Sequence, residues 1–239
     1  TAFDDAVDES WVAKFAEGLA QDQAEFGIAL WGGDTIATPG PLALTATLIG
    51  SVPTGRALRR SGARPGDRIV VTGTIGDGYF GLAAHRGELL ELDAPARQFL
   101  AQRYVLPQPR VALGRMLAEQ GLAHAAMDVS DGLAADLAHL CEASGCGAEV
   151  QIVSVPLSDA VAELLAETPA LITSALTGGD DYELLVTVPP DRVRAVFEAA
   201  KQAGTPMSDI GVMTASAAVD FIDRDGKPLA LDKPGFTHF

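Results

Sequence analysis

The stretch Ala126-Met127-Asp128-Val129-Ser130-Asp131-Gly132-Leu133 constrains this chain more than any other. An apolar run leads into it. Behind it Leu133, Leu137, Leu140 and Cys141 recur at helical spacing, which predicts an amphipathic helix over 131–143. Ser130 is a natural N-cap, and acidic residues suit a first helical turn. Such a helix start offers free backbone N–H groups and a hydroxyl to an anion. Asp128 and Asp131 offer hard oxygens to a divalent cation. Together these features suit a metal-bound phosphate. Asp and Ser at a helix start also serve as plain caps, so the rest of the chain has to decide.

The chain has 239 residues, enough for one large domain or two small ones with a sizeable core. Its formal charge is −15, from 17 basic and 32 acidic residues, which disfavours nucleic acid as a partner because the phosphates would be repelled. A small phosphorylated ligand stays compatible with that charge if metal ions bridge it to carboxylates. No apolar run approaches the roughly 20 residues of a membrane span. The opening residues lack the basic start and apolar core of a secretory signal, so the cytoplasm is the expected compartment and no membrane partner is expected. Cys141 and Cys146 match no zinc spacing and make no disulfide framework. His85, His124, His139 and His238 are scattered, so no histidine-based metal site is expected.

In chain order, residues 10–26 read as a helix with Trp11, Val12, Phe15 and Leu19 on its apolar face, and residues 28–31 as a short strand. Gly32-Gly33-Asp34-Thr35 follows, either a plain turn or a place where backbone approaches a ligand closely. Residues 42–50 alternate like a half-buried strand. The span 52–66 is broken by Pro53, Gly55, Gly62, Pro65 and Gly66 and holds Arg56, Arg59, Arg60 and Arg64. It reads as a solvated linker or as guanidiniums placed for phosphate capture, and the domain boundary falls here. A strand at 68–71 runs into Thr72-Gly73-Thr74-Ile75-Gly76-Asp77-Gly78, a context that cradles phosphates or merely crosses tightly from strand to helix. Further helices are expected at 78–89, 94–104, 109–120, 158–167, 170–176 and 191–203. Strands are expected at 147–153, 183–188, 210–213 and 217–222, with a turn at 224–227. Gly178-Gly179-Asp180-Asp181 repeats the pattern of two glycines and then acid. Strands and helices mix without strict alternation, which predicts an α+β fold with helices packed on one face of a mixed sheet.

Three runs agree with one family. GGDT at 32–35, MDVSDGL at 127–133 and GGDDYEL at 178–184 resemble thiamine-monophosphate kinases, as do TGRALRRSGARPGD at 54–67, VTGTIGD at 71–77 and the closing GFTHF. The resemblance covers nearly the whole chain. It implies a two-domain synthetase-like α+β fold. Residues 1–60 would be the C-terminal part of an N-terminal α/β domain that dimerises and binds ATP, and residues 61–239 a C-terminal α+β domain. Family members begin well upstream, so the resemblance implies an incomplete N-terminal domain. The implied reaction is transfer from ATP to thiamine phosphate, giving thiamine diphosphate, with several Mg²⁺ ions and in a homodimer. By resemblance, Gly33, Asp34, Arg60 and Ser130 contact ATP, and Asp34, Asp128 and Asp131 hold metal. Asp180 stands where the family usually has Glu and is implied to touch the substrate. Lys233 stands where a substrate-facing aromatic often occurs, with Phe236 as its substitute. No protein side chain is implied as acid or base. Two alternatives stay open: another ATP-using member of the superfamily, such as a hydrogenase maturation factor or aminoimidazole ribonucleotide synthetase, or an inactive N-terminally truncated fragment.

Overall fold

The computed structural model describes residues 1–3, 7–89, 91–231 and 235. The chain divides into two compact units, Thr1–Val52 and Pro53–Phe239.

The first unit holds strand β1 (Ala2–Phe3), helix α1 (Glu9–Phe26) and strand β2 (Ile36–Ala37). Asp8 caps α1 by accepting the Trp11 N–H at 2.8 Å, and Gly27 ends the helix at φ +64°. Trp11 stacks on Phe15 and meets Phe3 edge-on. β1 and β2 pair in parallel, and Ala43 bridges to Ala2. The strands expected at 28–31 and 42–50 do not form. Their apolar pattern is real, but a strand needs a neighbour whose N–H and C=O groups complete its ladder. Here the residues lie exposed, with Trp31 at 87%, Leu48 at 81% and Ile49 at 80%.

The second unit contains β3 (Arg68–Thr72), α2 (Asp77–His85), α3 (Ala94–Val105), α4 (Val111–Gln120), β4 (Ala125–Val129), α5 (Leu133–Ser144) and β5 (Gly147–Gln151). It continues with α6 (Asp159–Glu167), α7 (Ile172–Thr177), β6 (Glu183–Val188), α8 (Val193–Gln202), β7 (Met207–Thr214) and β8 (Val219–Ile222). The sheet order is β4-β6-β3-β7-β5-β8, antiparallel except for the parallel pair β5–β8. The α+β class and the mixed sheet are as expected. The helices, however, divide between both faces of the sheet. Along β3, Ile69 and Val71 point to the face covered by Leu133, Leu137 and Leu140 of α5, while Val70 points to the face covered by Leu113 and Leu117 of α4 and Val196 and Ala200 of α8. Strands such as β3 and β6 are apolar on both sides and need cover on both.

Candidate functional site

β4 is the edge of the sheet and ends at the opening stretch. In its register with β6, Asp128 stands opposite Leu184 and Val129 opposite Glu183. Met127 and Val129 are buried, and Asp128, pointing the other way, is exposed at the strand end. Ser130, Asp131 and Gly132 then turn the chain into α5, which starts two residues later than expected. Gly132 occupies the N-cap position at φ +110° and offers no side-chain cap. A side chain there would also strike the Thr177 carbonyl at 2.7 Å.

Ser130 is therefore not the cap, and the turn's amides are not free for an anion. The N–H groups of Ser130 and Asp131 both donate to Oδ2 of Asp136, at 2.9 and 3.0 Å. Asp136 sits in the first turn of α5, 1% exposed. Burial pushes its carboxyl up to about 6; the nearby charges of Asp131 and Asp128 add to this, and the two amides oppose it.

The second glycine-acid turn packs directly on the first. The Asp180 N–H donates to the Ser130 carbonyl at 2.9 Å, and the Tyr182 N–H to the Val129 carbonyl at 2.7 Å. Gly179 makes this approach possible, since a Cβ there would lie 2.3 Å from the Ser130 oxygen. Asp180 and Tyr182 take left-handed backbone at φ +69° and +50°, rare for a tyrosine. The Tyr182 hydroxyl donates to Asp180 Oδ1 at 3.4 Å. Burial, and then the charges of Asp180, Asp128 and Asp131, raise the tyrosine's pKa, so all three carboxylates share its neighbourhood.

Between Asp180 and Tyr182, Asp181 points inward. It is 2% exposed and accepts the N–H groups of Gly76 and Gly78, each at 2.8 Å. The TGTIGDG turn is thus a tight crossing whose amides are filled by the chain's own carboxylate. Below it lies a buried ionic cluster. Glu183, fully buried, takes both Nε and Nη2 of Arg110 at 2.7 and 2.6 Å, Arg103 at 2.8 Å and the Thr72 hydroxyl at 2.6 Å. Arg103 also reaches Asp77, which accepts the hydroxyls of Ser158 and Thr74. Asp136, Asp181, Glu183, Arg103 and Arg110 escape the sequence reading. Asp136 and Glu183 give one signal, an acid set among residues that must be buried, in Leu133–Leu137 and Tyr182–Val186; Asp181, Arg103 and Arg110 give none.

The structure thus brings together Asp128, Ser130, Asp131 and Asp180. Arg60 is exposed, and its carbonyl accepts the Ser144 hydroxyl at 3.1 Å. That places its backbone at the C-terminal end of α5, a 12-residue helix about 18 Å long, while Asp131 precedes the other end. Gly33 and Asp34 are exposed residues of the first unit, where Asp34 Oδ1 accepts the Thr35 N–H at 2.9 Å. Lys233 and Phe236 lie outside the described residues. Among the described residues, no three His, Cys, Asp or Glu side chains form a group that holds a metal by itself.

Asp181 gives the pH dependence its sign. Burial pushes its carboxyl up to about 7, with Asp77 adding and the amides of Gly76 and Gly78 and the charge of Arg103 opposing. The ordinary value is 3.8. The folded state therefore holds this proton more tightly than the unfolded one. Its contribution is fully present below the unfolded value and is lost as pH rises toward the folded one. Relative to Asp181→Asn, wild-type unfolding free energy should fall between about pH 4 and pH 7 and stay level above. Urea melts of both proteins across that range measure it, and a pH-independent difference refutes it.

Two family descriptions match the chain: AIR synthase related protein, N-terminal domain, over residues 1–52, and AIR synthase related protein, C-terminal domain, over residues 64–224. The thiamine-monophosphate kinase of Escherichia coli (strain K12) is 43% identical over 233 residues, which is 98% of this chain and 70% of that protein. The crystal structure of thiamine-monophosphate kinase from Stenotrophomonas maltophilia K279a is 36% identical with a TM-score of 0.80, covering 93% of this chain and 69% of that one. A structure of AaThiL complexed with AMPPCP and TMP is 28% identical with a TM-score of 0.77, covering 100% of this chain and 71% of that one.

Proposed function

The chain belongs to the AIR synthase related proteins and, within them, to the thiamine-monophosphate kinases, and from this membership we infer that it moves the γ-phosphoryl group of ATP onto thiamine phosphate, giving ADP and thiamine diphosphate. The observation that carries the reading is the docking of the GGDDY turn on the DVSD turn, which sets Asp128, Asp131 and Asp180 in one neighbourhood while Asp136 and Asp181 fill the amides behind them.

The acceptor is a phosphate oxygen already ionised at neutral pH, so no protein base is needed. What the reaction needs is in-line placement and neutralisation of charge. Mg²⁺ is bound through one or two carboxylates together with substrate phosphates more often than in an all-protein cage, a habit that Asp128 and Asp131 at one turn suit. Several Mg²⁺ ions, when bound, would neutralise the phosphates and hold them in line. Asp128 and Asp131 would hold them, and Ser130 and Arg60 would meet the nucleotide. For Asp34 and Gly33 of the first unit, a metal and a nucleotide role rest on the family resemblance alone. Asp180 would meet thiamine phosphate. The first unit leaves Ile28, Leu30, Trp31, Leu48 and Ile49 exposed, which supports a homodimer formed through that unit. No helix among the described residues is long and apolar enough to cross a membrane.

The direct test is to supply the chain with ATP, thiamine phosphate and Mg²⁺ and to measure thiamine diphosphate by chromatography. Product should form and should cease with EDTA. Its absence at saturating substrates overturns the reading. Asp180→Ala should raise KM for thiamine phosphate on the order of tenfold, the effect of losing one charged hydrogen bond, with KM for ATP nearly unchanged. An equal rise in both removes Asp180 from the substrate side.

A further inference from the structure

We propose that Asp136 is a positioning residue: by holding the Ser130 and Asp131 amides it fixes the turn from which Asp128 and Asp131 present their carboxylates to a divalent cation. The proposal rests on the reading of the site given above and adds a residue to it.

The peptide units around Ser130 are held from two sides. The N–H of Ser130 goes to Asp136 Oδ2, and its carbonyl receives the N–H of Asp180. One oxygen of Asp136 thus governs both the cation pair and, through Ser130, the turn that carries Asp180. Asp136 is itself well anchored. Its own N–H donates to the Gly132 carbonyl at 3.0 Å, and its neighbours Leu133 and Leu137 are wholly buried in the core. A carboxylate also suits the task electrically. It offsets the positive end of α5, so that the dipole there does not oppose a cation held by Asp128 and Asp131. An oxygen that orients a metal-binding segment typically changes metal affinity by 10–100-fold when removed.

The test compares two variants that both lack the charge. In Asp136→Asn one carbonyl oxygen can still accept both amides. In Asp136→Ala nothing accepts them. Mn²⁺ affinity is measured by electron paramagnetic resonance of the free ion, in the presence of a non-hydrolysable ATP analogue, on the full chain. Asp136→Ala should bind Mn²⁺ at least tenfold more weakly than Asp136→Asn. Equal affinities overturn the proposal. Where Asp136→Ala is recovered unfolded, Asp136→Ser, whose hydroxyl is too short to span both amides, takes its place in the same comparison. Asp128→Asn serves as the control. If it loses Mn²⁺ while Asp136→Ala and Asp136→Asn match, the positioning role fails and the cation site stands. If Asp128→Asn binds Mn²⁺ like the wild type, the cation site itself fails, and Asp136 with it.

Discussion

Replacing Glu183 with leucine should lower the unfolding free energy by about 3–5 kcal/mol, the cost of leaving a buried ion pair without one partner. Glu183 is fully buried and is the carboxylate on which two guanidiniums converge, with Arg103 and Arg110 side chains only 13% and 19% exposed. Arg110 gives it a two-pronged contact, and that hydrogen bond raises the arginine's own pKa. Without Glu183, two cations share a desolvated space, and the Thr72 hydroxyl loses its acceptor. Arg103 retains Asp77 at 3.4 Å, whereas Arg110 has no other carboxylate partner among the described residues. The double variant Glu183→Leu/Arg110→Leu should therefore recover part of the loss, because it removes the cation left most exposed to the penalty. Glu183→Gln should cost less than Glu183→Leu, since an amide oxygen still accepts from Arg110. Urea denaturation of the three variants measures the series. A loss below about 1 kcal/mol for Glu183→Leu would place this cluster with surface ion pairs, which contribute little. Glu183 opens β6 directly after the turn of Asp180, Asp181 and Tyr182.

Periodicity in the sequence carried most of the second unit. The helix expected at 191–203 was legible because Val193, Val196, Phe197 and Ala200 recur at helical spacing, and the strand at 183–188 because it is a short apolar run directly after the glycine-acid turn. The first unit was less legible. Residues 42–50 alternate like a strand and 28–31 form a short apolar run, but such a pattern specifies a face and not a partner, and only the isolated bridge from Ala43 to Ala2 forms there among the described residues. At the site, the outward acids were singled out by the resemblance of the MDVSDGL and GGDDYEL runs to the family. The inward ones were not. Asp136 and Asp131 look alike in sequence, yet one ends up nearly sealed in the core and the other half exposed. That difference depends on where α5 begins, and the helix start is the least determined part of a periodic pattern. Reading Ser130 as the cap moved the helix start by two residues, which put Asp136 in the second turn of the expected helix; in the structure it lies in the first turn, from which its carboxylate reaches the amides ahead of the helix. The amides predicted to await a phosphate were for the same reason already occupied.

Asp128→Asn and Asp131→Asn should each cut turnover by about 10²–10³-fold, equivalent to roughly 3–4 kcal/mol of transition-state stabilisation. Asparagine keeps the shape of either side chain but offers a neutral oxygen in place of a charged one, a much poorer partner for a hard cation. The loss should shrink as Mg²⁺ is raised, because a weakened site can be refilled by mass action. A purely structural defect would not respond to the ion. Stability should move the other way. Asp128 is exposed and Asp131 half exposed, and with Asp180 they crowd three negative charges around Tyr182 in a chain of formal charge −15. Removing one of these charges relieves repulsion, so in the absence of Mg²⁺ either variant should melt at or slightly above the wild-type temperature. Adding Mg²⁺ with an ATP analogue should raise the wild-type melting temperature more than that of either variant, since only a ligand bound to the folded state stabilises it. Wild-type turnover with an unchanged Mg²⁺ dependence in both variants would remove these aspartates from the cation site. A melting temperature well below wild type would instead assign them to the fold. The pairing of lost turnover with kept or improved stability is what sets a cation-binding aspartate apart from Glu183, whose loss lowers stability first.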